Sequence, residues 1–153
     1  MKFTVQLTPD GAQTIAIDES GNSVAMYLPD VAGGAGKGIR PMQMLIMGVG
    51  GCTAVDVLMI LKKQRQTVTG FRIEIDAGRQ KGKEPSLWEK VHLKYFFEGT
   101  VSLEKAQKAI EMSIKTYCSA SETLRIAGAD ITWEAVILHR ETAARLPIHF
   151  GCR

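Results

Sequence analysis

Hydrophobic and polar positions alternate in short runs along the first part of the chain, a pattern typical of β-strands. Such runs cover residues 3–7, 14–17 and 24–28, and a Pro-Asp-Gly turn follows the first of them. Residues 31–40 contain four glycines and are predicted to form a loop. The N-terminal part of the chain therefore predicts three short strands followed by a loop.

The segment from Pro41 to Gln66 differs, because nearly every position in it is apolar. Between residues 42 and 61 the polar side chains are Gln43, Thr53 and Asp56. A proline suits the first turn of a helix, and a helix that is apolar on all sides belongs inside a core. The stretch is also long enough to span a bilayer, but Asp56 would be costly there and the strands need a core. We therefore expect a long buried central helix and no membrane association.

The second half of the chain returns to alternating patterns. Residues 71–76 and 91–98 predict two strands, and the polar residues 79–85 predict the hairpin loop between them. Apolar residues at helical spacing predict a helix from Leu103 to Tyr117, capped by Ser102. A short helix over residues 119–126 and a last strand over 131–137 follow. This order predicts an α+β fold of antiparallel sheets packed against helices.

Length and composition are typical of one globular domain. The chain has 153 residues, of which 45% are hydrophobic and 23% charged. We assign residues 1–138 to this domain. Residues 139–153 show no periodicity and are predicted to be a disordered tail or a remnant of an expression vector. The net charge is only +3 and no run of Lys and Arg exceeds two residues, which argues against a nucleic-acid partner.

The three cysteines are too few and too widely spaced for a disulfide scaffold. No Cys-x-x-Cys or His-x-x-x-His spacing indicates a zinc site, so no metal is expected. The N-terminus lacks the apolar core of a signal peptide. These features predict a cytoplasmic protein with free thiols, in which Cys152 of the tail is incidental.

Cys52 and Cys118 are the candidates for chemistry. Cys52 follows Gly50 and Gly51 within the apolar helix, where glycine costs about 1 kcal/mol relative to alanine but allows close approach of another group. A buried, inert cysteine in a tightly packed helix is the alternative interpretation. Cys118 ends the second predicted helix, and a lone cysteine there is also usually structural.

Two motifs resemble the OsmC/Ohr family, the osmotically inducible and organic hydroperoxide resistance proteins. Residues 40–45 and 50–56, Arg-Pro-Met-Gln-Met-Leu and Gly-Gly-Cys-Thr-Ala-Val-Asp, are similar to its central helix. Residues 117–121, Tyr-Cys-Ser-Ala-Ser, are similar to its second cysteine motif. The resemblance covers about residues 1–138, and the Gly-Gly-Cys motif is most similar to that of a less characterised branch of the family.

The resemblance implies an intertwined homodimer and a cysteine-based mechanism. Cys52 would attack an organic hydroperoxide and become a sulfenic acid, and Cys118 would condense with it to a disulfide. An external dithiol, for example a lipoyl group on a protein, would reduce the pair. No metal, flavin or other bound cofactor is implied.

The sequence departs from the family pattern at two helper positions. The family's glutamate would fall at Met42 or Gln43, and glutamine cannot ionise or pass a proton. No arginine occurs in residues 1–39, so Arg40, or else Arg125, is the candidate for the family's arginine. Arg40 alone is equally consistent with a solvated loop residue. Without a cation Cys52 would be a weak nucleophile, because it lies three turns inside the helix, away from the N-terminal dipole.

Asp56 lies one helical turn after Cys52, and two roles are open for it. It either makes a structural hydrogen bond, as a buried aspartate requires, or orients a proton or a cation at the site. The function predicted first is a thiol peroxidase for organic hydroperoxides. The alternative is a binding module for a small apolar ligand, or a redox sensor, which the missing glutamate and arginine favour.

Overall fold

The computed structural model describes residues 1–138 and divides the chain into two compact units, residues 1–47 and residues 48 onward. The helix α1 begins in the first unit and continues into the second. The prediction of one domain over residues 1–138 stays a prediction, and the predicted tail lies outside the described residues.

The first unit contains an antiparallel meander of three strands, β1 (Phe3–Leu7), β2 (Thr14–Asp18) and β3 (Ser23–Met26). Gly21 closes the second hairpin with a φ of 85°, a conformation that glycine adopts without steric cost. The third strand ends at Met26, two residues before the predicted end. The backbone of Tyr27 pairs instead with Ile39 from the loop, whose only regular turn is the 3₁₀ helix Asp30–Ala32.

The central helix α1 spans Pro41–Lys63, three residues shorter than the prediction. Arg65 adopts a left-handed backbone with a φ of 57°, and the N–H of Gln66 bonds to the carbonyl of Leu61. This pattern is a Schellman-type helix end. It turns the chain into the first strand of the second sheet.

The second sheet has the order β4–β5–β6, with strands Thr67–Arg79, Trp88–Thr100 and Asp130–Leu138. Strands β4 and β5 are antiparallel, but β5 and β6 are parallel, which corrects the prediction of purely antiparallel sheets. The physical reason is the connection. Helices α2 (Leu103–Met112) and α3 (Ser119–Ile126) return the chain to the starting end of β5, as in other helical crossovers.

The core of the second unit lies between the sheet and the helices. Strand β5 contributes a row of buried side chains, and α1 and α2 contribute the residues that face it. The fully buried members are Val49, Val57, Leu61, Val91, Leu93, Tyr95, Phe97, Ala106, Ala109 and Ile110. The sheet face of β5 thus follows the predicted alternation.

Helix α1 is buried on one face only. Val57 and Leu61 are fully buried, whereas Val55 and Met59 are 59% and 54% exposed. By length and composition α1 could also cross a membrane, a property that core helices share. A single described chain therefore does not give the all-round burial that the sequence pattern predicted.

The second predicted helix is divided in two. Helix α2 ends at Met112, and a π-helical turn, Ser113–Tyr117, leads to Cys118. Ser102 is the N-cap residue as predicted, but its side chain makes no capping hydrogen bond. The backbone N–H of Ser102 instead donates to Oε1 of Gln66 at 2.9 Å, which ties the start of α2 to the end of α1.

Candidate functional site

Three predicted site residues come together in the second unit. One side-chain ligand atom each from Cys52, Asp56 and Cys118 lies within 4.8 Å of the other two. Cys118 is 2% exposed, whereas Cys52 and Asp56 are partly exposed. Both cysteines are free thiols. The cluster is therefore a dithiol beside a carboxylate, open to solvent on one side.

Helix α1 sets the position of Cys52 and Asp56. Residues four apart lie on the same helix face, so both side chains point in similar directions. Next to Cys52, the side chain of Thr53 is fully buried in the core, and its hydroxyl donates to the carbonyl of Gly50 in the same helix at 3.1 Å. A Cβ added to Gly50 would lie 2.7 Å from Cδ1 of Ile75 on β4. This glycine therefore allows the close approach of α1 to the sheet.

The π-helical turn sets the position of Cys118. The N–H of Cys118 bonds to the carbonyl of Ser113 at 2.8 Å, which widens the last turn before α3. The fully buried Ser113 donates its hydroxyl to Oδ2 of Asp56 at 3.0 Å. One widened turn thus supplies both a partner for Asp56 and the second cysteine. Such π-helical insertions are frequent at functional sites.

Cys118 is the N-cap residue of α3, and its sulfur accepts the N–H of Ser121 at 3.3 Å. Two effects oppose each other at this thiol. Burial raises the pKa of Cys118, and the hydrogen bonds from Ser121 lower it, with a net pKa above the ordinary cysteine value. The neighbouring Cys52 raises it further. Cys118 is therefore held mainly as a thiol at neutral pH.

The structure is consistent with both of the roles that the sequence left open for Asp56. Its hydrogen bond from Ser113 is the structural contact expected of a partly buried carboxylate. Its closeness to both sulfurs places the same carboxylate in the cluster. The two roles are compatible, because the serine holds the carboxylate in position.

Sequence reasoning missed Tyr95, which it assigned only to the apolar face of β5. Its side chain is fully buried, and its hydroxyl has no hydrogen-bond partner among the described residues. Burial raises the pKa of Tyr95 to about 12, negative charge on Cys118 or Asp56 raises it as well, and the nearby Thr53 hydroxyl lowers it. Of these groups, Thr53 interacts with the phenol most strongly, and it follows Cys52 directly in α1. The signal in the sequence was a tyrosine among the apolar residues of β5, because a buried hydroxyl requires a hydrogen-bond partner.

Arg40 and Gln43 lie together in the first unit. Oε1 of Gln43 accepts the backbone N–H of Arg40 at 3.0 Å, which is one half of a capping box at the start of α1. The Arg40 guanidinium lies over the ring of Tyr27, 5.2 Å from its centroid. Their part in the cysteine chemistry stays a prediction. Arg125, the other candidate, forms an exposed ion pair with Glu122 at 2.6 Å.

Two cavities adjoin the cluster in the second unit. One of about 390 Å³ is lined by Asp56 and by the apolar side chains of Met59, Ile60, Met112 and Tyr117, together with Lys63 and Gln64. Another of about 670 Å³ lies along the π-helical turn and α3 and includes Cys118. Asp56 and Cys118 thus each border a cavity large enough for a small molecule.

Comparison with known proteins gives a consistent result. Residues 34–134 match the family described as OsmC-like protein. Protein YhfA of Escherichia coli is 33% identical over 92 residues, which cover 60% of this chain and 68% of YhfA. A hypothetical protein from Aquifex aeolicus has a similar structure, with a TM-score of 0.74 and 27% identity over 90% of this chain and 97% of the other.

A second similar structure is from Legionella pneumophila and is named an organic hydroperoxide resistance protein and predicted redox protein. The TM-score is 0.65 at 14% identity, over 88% of this chain and 94% of the other. At that identity the likeness concerns the fold. Together the matches confirm the predicted family and its α+β fold, and the assignment to a Gly-Gly-Cys branch stays a prediction.

The unpartnered phenol of Tyr95 leads to a stability prediction. Tyr95→Phe removes a buried hydroxyl that forms no well-directed hydrogen bond to a described residue, so we expect the free energy of unfolding to rise by about 1 kcal/mol. The change in the free energy of unfolding is measured by urea denaturation of the reduced, metal-free protein, with the protein concentration held constant. Tyr117→Phe, at a half-exposed position, is the control and should change little. A loss of stability in Tyr95→Phe would show that the hydroxyl has a partner.

Proposed function

Because the chain belongs to the OsmC-like protein family, we propose that it is a thiol-dependent peroxidase that reduces organic hydroperoxides through Cys52 and Cys118. The observation that carries the proposal is the closeness of the two sulfurs and the Asp56 carboxylate, all within 4.8 Å. The family and its structural neighbours, some of them named as hydroperoxide resistance proteins, support a redox role.

Cys52 reacts first in this proposal, because it is partly exposed whereas Cys118 is almost completely buried. The Cys52 thiolate attacks one oxygen of the hydroperoxide, and the O–O bond breaks. The alcohol leaves after taking a proton, and the sulfur, oxidised by two electrons, becomes a sulfenic acid. The apolar cavity beside Asp56 is of a size and character that suits the organic part of the substrate.

Cys118 acts second, as the resolving cysteine. Its thiolate attacks the Cys52 sulfur, the S–O bond breaks, and the hydroxyl leaves as water after taking a proton. An external dithiol then supplies two electrons and two protons to restore both thiols. A lipoyl group on a protein would fit this role, with no bound cofactor. Thiol reductants of this kind belong to a cytoplasmic location.

A redox sensor or a binding module for a small apolar ligand is the second candidate. The observation in its favour is that Gln43, at the position of the family's glutamate, caps α1 through the backbone of Arg40. A glutamine in that bond passes no proton. In this second candidate function the dithiol reacts only slowly with peroxides. A binding module would respond to occupation of the cavity by a ligand, and a redox sensor to formation of the disulfide.

We further propose that the chain forms a homodimer. Helix α1 leaves Val55, Leu58 and Met59 exposed in the second unit, and β1 leaves Phe3, Val5 and Leu7 exposed in the first. Apolar surface of this extent on a central helix is unfavourable in water. A second copy of the chain would cover it, as the sequence resemblance implies.

The roles of the two cysteines lead to a kinetic prediction. Cys52→Ser should abolish consumption of cumene hydroperoxide with a dithiol reductant. Cys118→Ser should allow one oxidation and leave a sulfenic acid on Cys52 that a dimedone-type probe traps. In the native protein, trapping should decrease as pH rises, because a higher pH increases the thiolate fraction of Cys118, whose pKa is raised.

The control for this experiment is Cys152→Ser, which should retain full turnover. A dimedone adduct on Cys118 in the Cys52→Ser protein, with turnover intact, would reverse the assignment. Binding of an apolar ligand without turnover or adduct in the native protein would favour the binding module.

The exposed face of α1 leads to a prediction about assembly. Val55→Asp places a charge on the apolar face of α1 and should therefore lower the molar mass in solution to that of one chain, as measured by light scattering. Val31→Asp, at a fully exposed position outside α1, is the control and should leave the dimer intact. A native protein that is a stable, folded monomer at micromolar concentration would contradict the dimer.

A further inference from the structure

The dithiol and the carboxylate also form a ligand set for a metal ion. We propose that the reduced chain binds one thiophilic divalent ion of the Zn²⁺ type through the sulfurs of Cys52 and Cys118 and a carboxylate oxygen of Asp56. The inference rests on geometry in the second unit alone. It does not depend on the proposed peroxidase activity.

The distances suit such an ion. Zinc binds thiolate sulfur at about 2.3 Å in a tetrahedron, which places two sulfurs about 3.8 Å apart. The three ligand atoms here lie within 4.8 Å of one another, so small side-chain rotations complete the coordination. As the ion binds, each thiol releases its proton to solvent, and the site keeps one net negative charge.

Two hydrogen bonds hold the ligands in place. Ser113 donates to Oδ2 of Asp56 at 3.0 Å, and the N–H of Ser121 donates to the Cys118 sulfur at 3.3 Å. Both serines are buried, with exposures of 0% and 1%. Bonds of this kind orient metal ligands and strengthen binding, commonly by tenfold to a hundredfold.

Tyr95 is the second observation that points to a bound group. Its phenol is fully buried near the Thr53 hydroxyl, next in sequence to Cys52, and forms no well-directed hydrogen bond to a described residue. A buried donor without an acceptor is unfavourable. With an ion bound, the phenol can donate to a ligand sulfur or to a water in the fourth coordination position.

The ligand types favour zinc over magnesium or calcium. Two thiolates are soft ligands that select Zn²⁺ and similar ions, whereas magnesium and calcium require oxygen ligands. No zinc-ligand spacing is visible in the sequence, because the ligands come from separate elements. Cys52 and Asp56 lie one turn apart on α1, and Cys118 joins them through the π-helical turn.

The metal and the disulfide use the same two sulfurs and therefore exclude one another. The reduced chain binds the ion, and oxidation of both thiols to a disulfide removes two of its three protein ligands. Conversely, when the ion is bound, the Cys52 thiolate is a metal ligand and is not available to attack a peroxide. The site is thus a metal site whose affinity depends on the redox state of the pair.

The test is a zinc titration of the reduced, full-length protein against a chromophoric chelator, in the absence of peroxide. We expect one Zn²⁺ per chain. Cys52→Ser and Cys118→Ser should lose at least about a hundredfold in affinity, and Asp56→Asn and Tyr95→Phe about tenfold. With Co²⁺ the native protein should show a sulfur-to-cobalt charge-transfer band that both cysteine variants lose.

Two controls make the outcome decisive. Cys152→Ser should bind zinc as the native protein does, and the native protein oxidised with diamide should not bind it. Native protein alkylated at its thiols replaces any cysteine variant that circular dichroism shows to be unfolded. Equal zinc binding by Cys52→Ser or by the oxidised protein would overturn the inference, as would no binding by the fully reduced protein. If the reduced protein turns over peroxide but binds no zinc, the metal inference is wrong and the peroxidase proposal is unaffected.

Discussion

The hydrogen bond from Ser113 to Asp56 is the contact that joins the two parts of the site. Cys52 and Asp56 are carried by α1, and Cys118 follows the π-helical turn after α2. The bond at 3.0 Å connects that turn to α1 one helical turn from Cys52. The serine is fully buried and the aspartate partly exposed, so the bond is partly shielded from water, where it would be weaker. The bond holds the turn that carries Cys118 beside the part of α1 that carries Cys52.

The order of strands and helices could be predicted from periodicity, since each run of apolar residues gave one element. The two cysteines entered as a pair only through the family resemblance, because each taken alone favoured a structural role. The parallel pairing of β5 with β6 was missed, since alternation in a strand is blind to the direction of its neighbour.

Other features depend on tertiary contacts that a linear pattern does not contain. The π-helical turn adds one residue to a helical repeat, which the apolar spacing of Ile110 and Ile114 does not reveal. Tyr95 was assigned to the core because its ring is apolar, and the pattern did not show that its hydroxyl would be buried without a well-directed hydrogen bond to a described residue. The apolar pattern of α1 predicted burial on all sides, whereas the described chain covers one face. The sequence of α1 therefore indicates how much of the helix surface is apolar, but it does not identify the surface that covers it.

The chemistry of the site follows from unequal surroundings of two identical groups. Cys52 is reachable from solvent, while burial keeps Cys118 protonated in spite of its place at a helix start. The accessible thiol is suited to react first and the buried one to resolve. The same pair, with Asp56 beside it, has the composition of a soft metal site. A dithiol that is close but not bonded can serve both purposes, depending on which partner reaches it first.

The most direct test of this account is the identity of the disulfide that an organic hydroperoxide produces. The reduced protein is treated with one equivalent of cumene hydroperoxide, its remaining thiols are blocked, and its peptides are analysed by mass spectrometry. The account predicts a peptide pair linked through Cys52 and Cys118. Linkages through Cys152 alone, or Cys52 and Cys118 both recovered as blocked thiols, would contradict it.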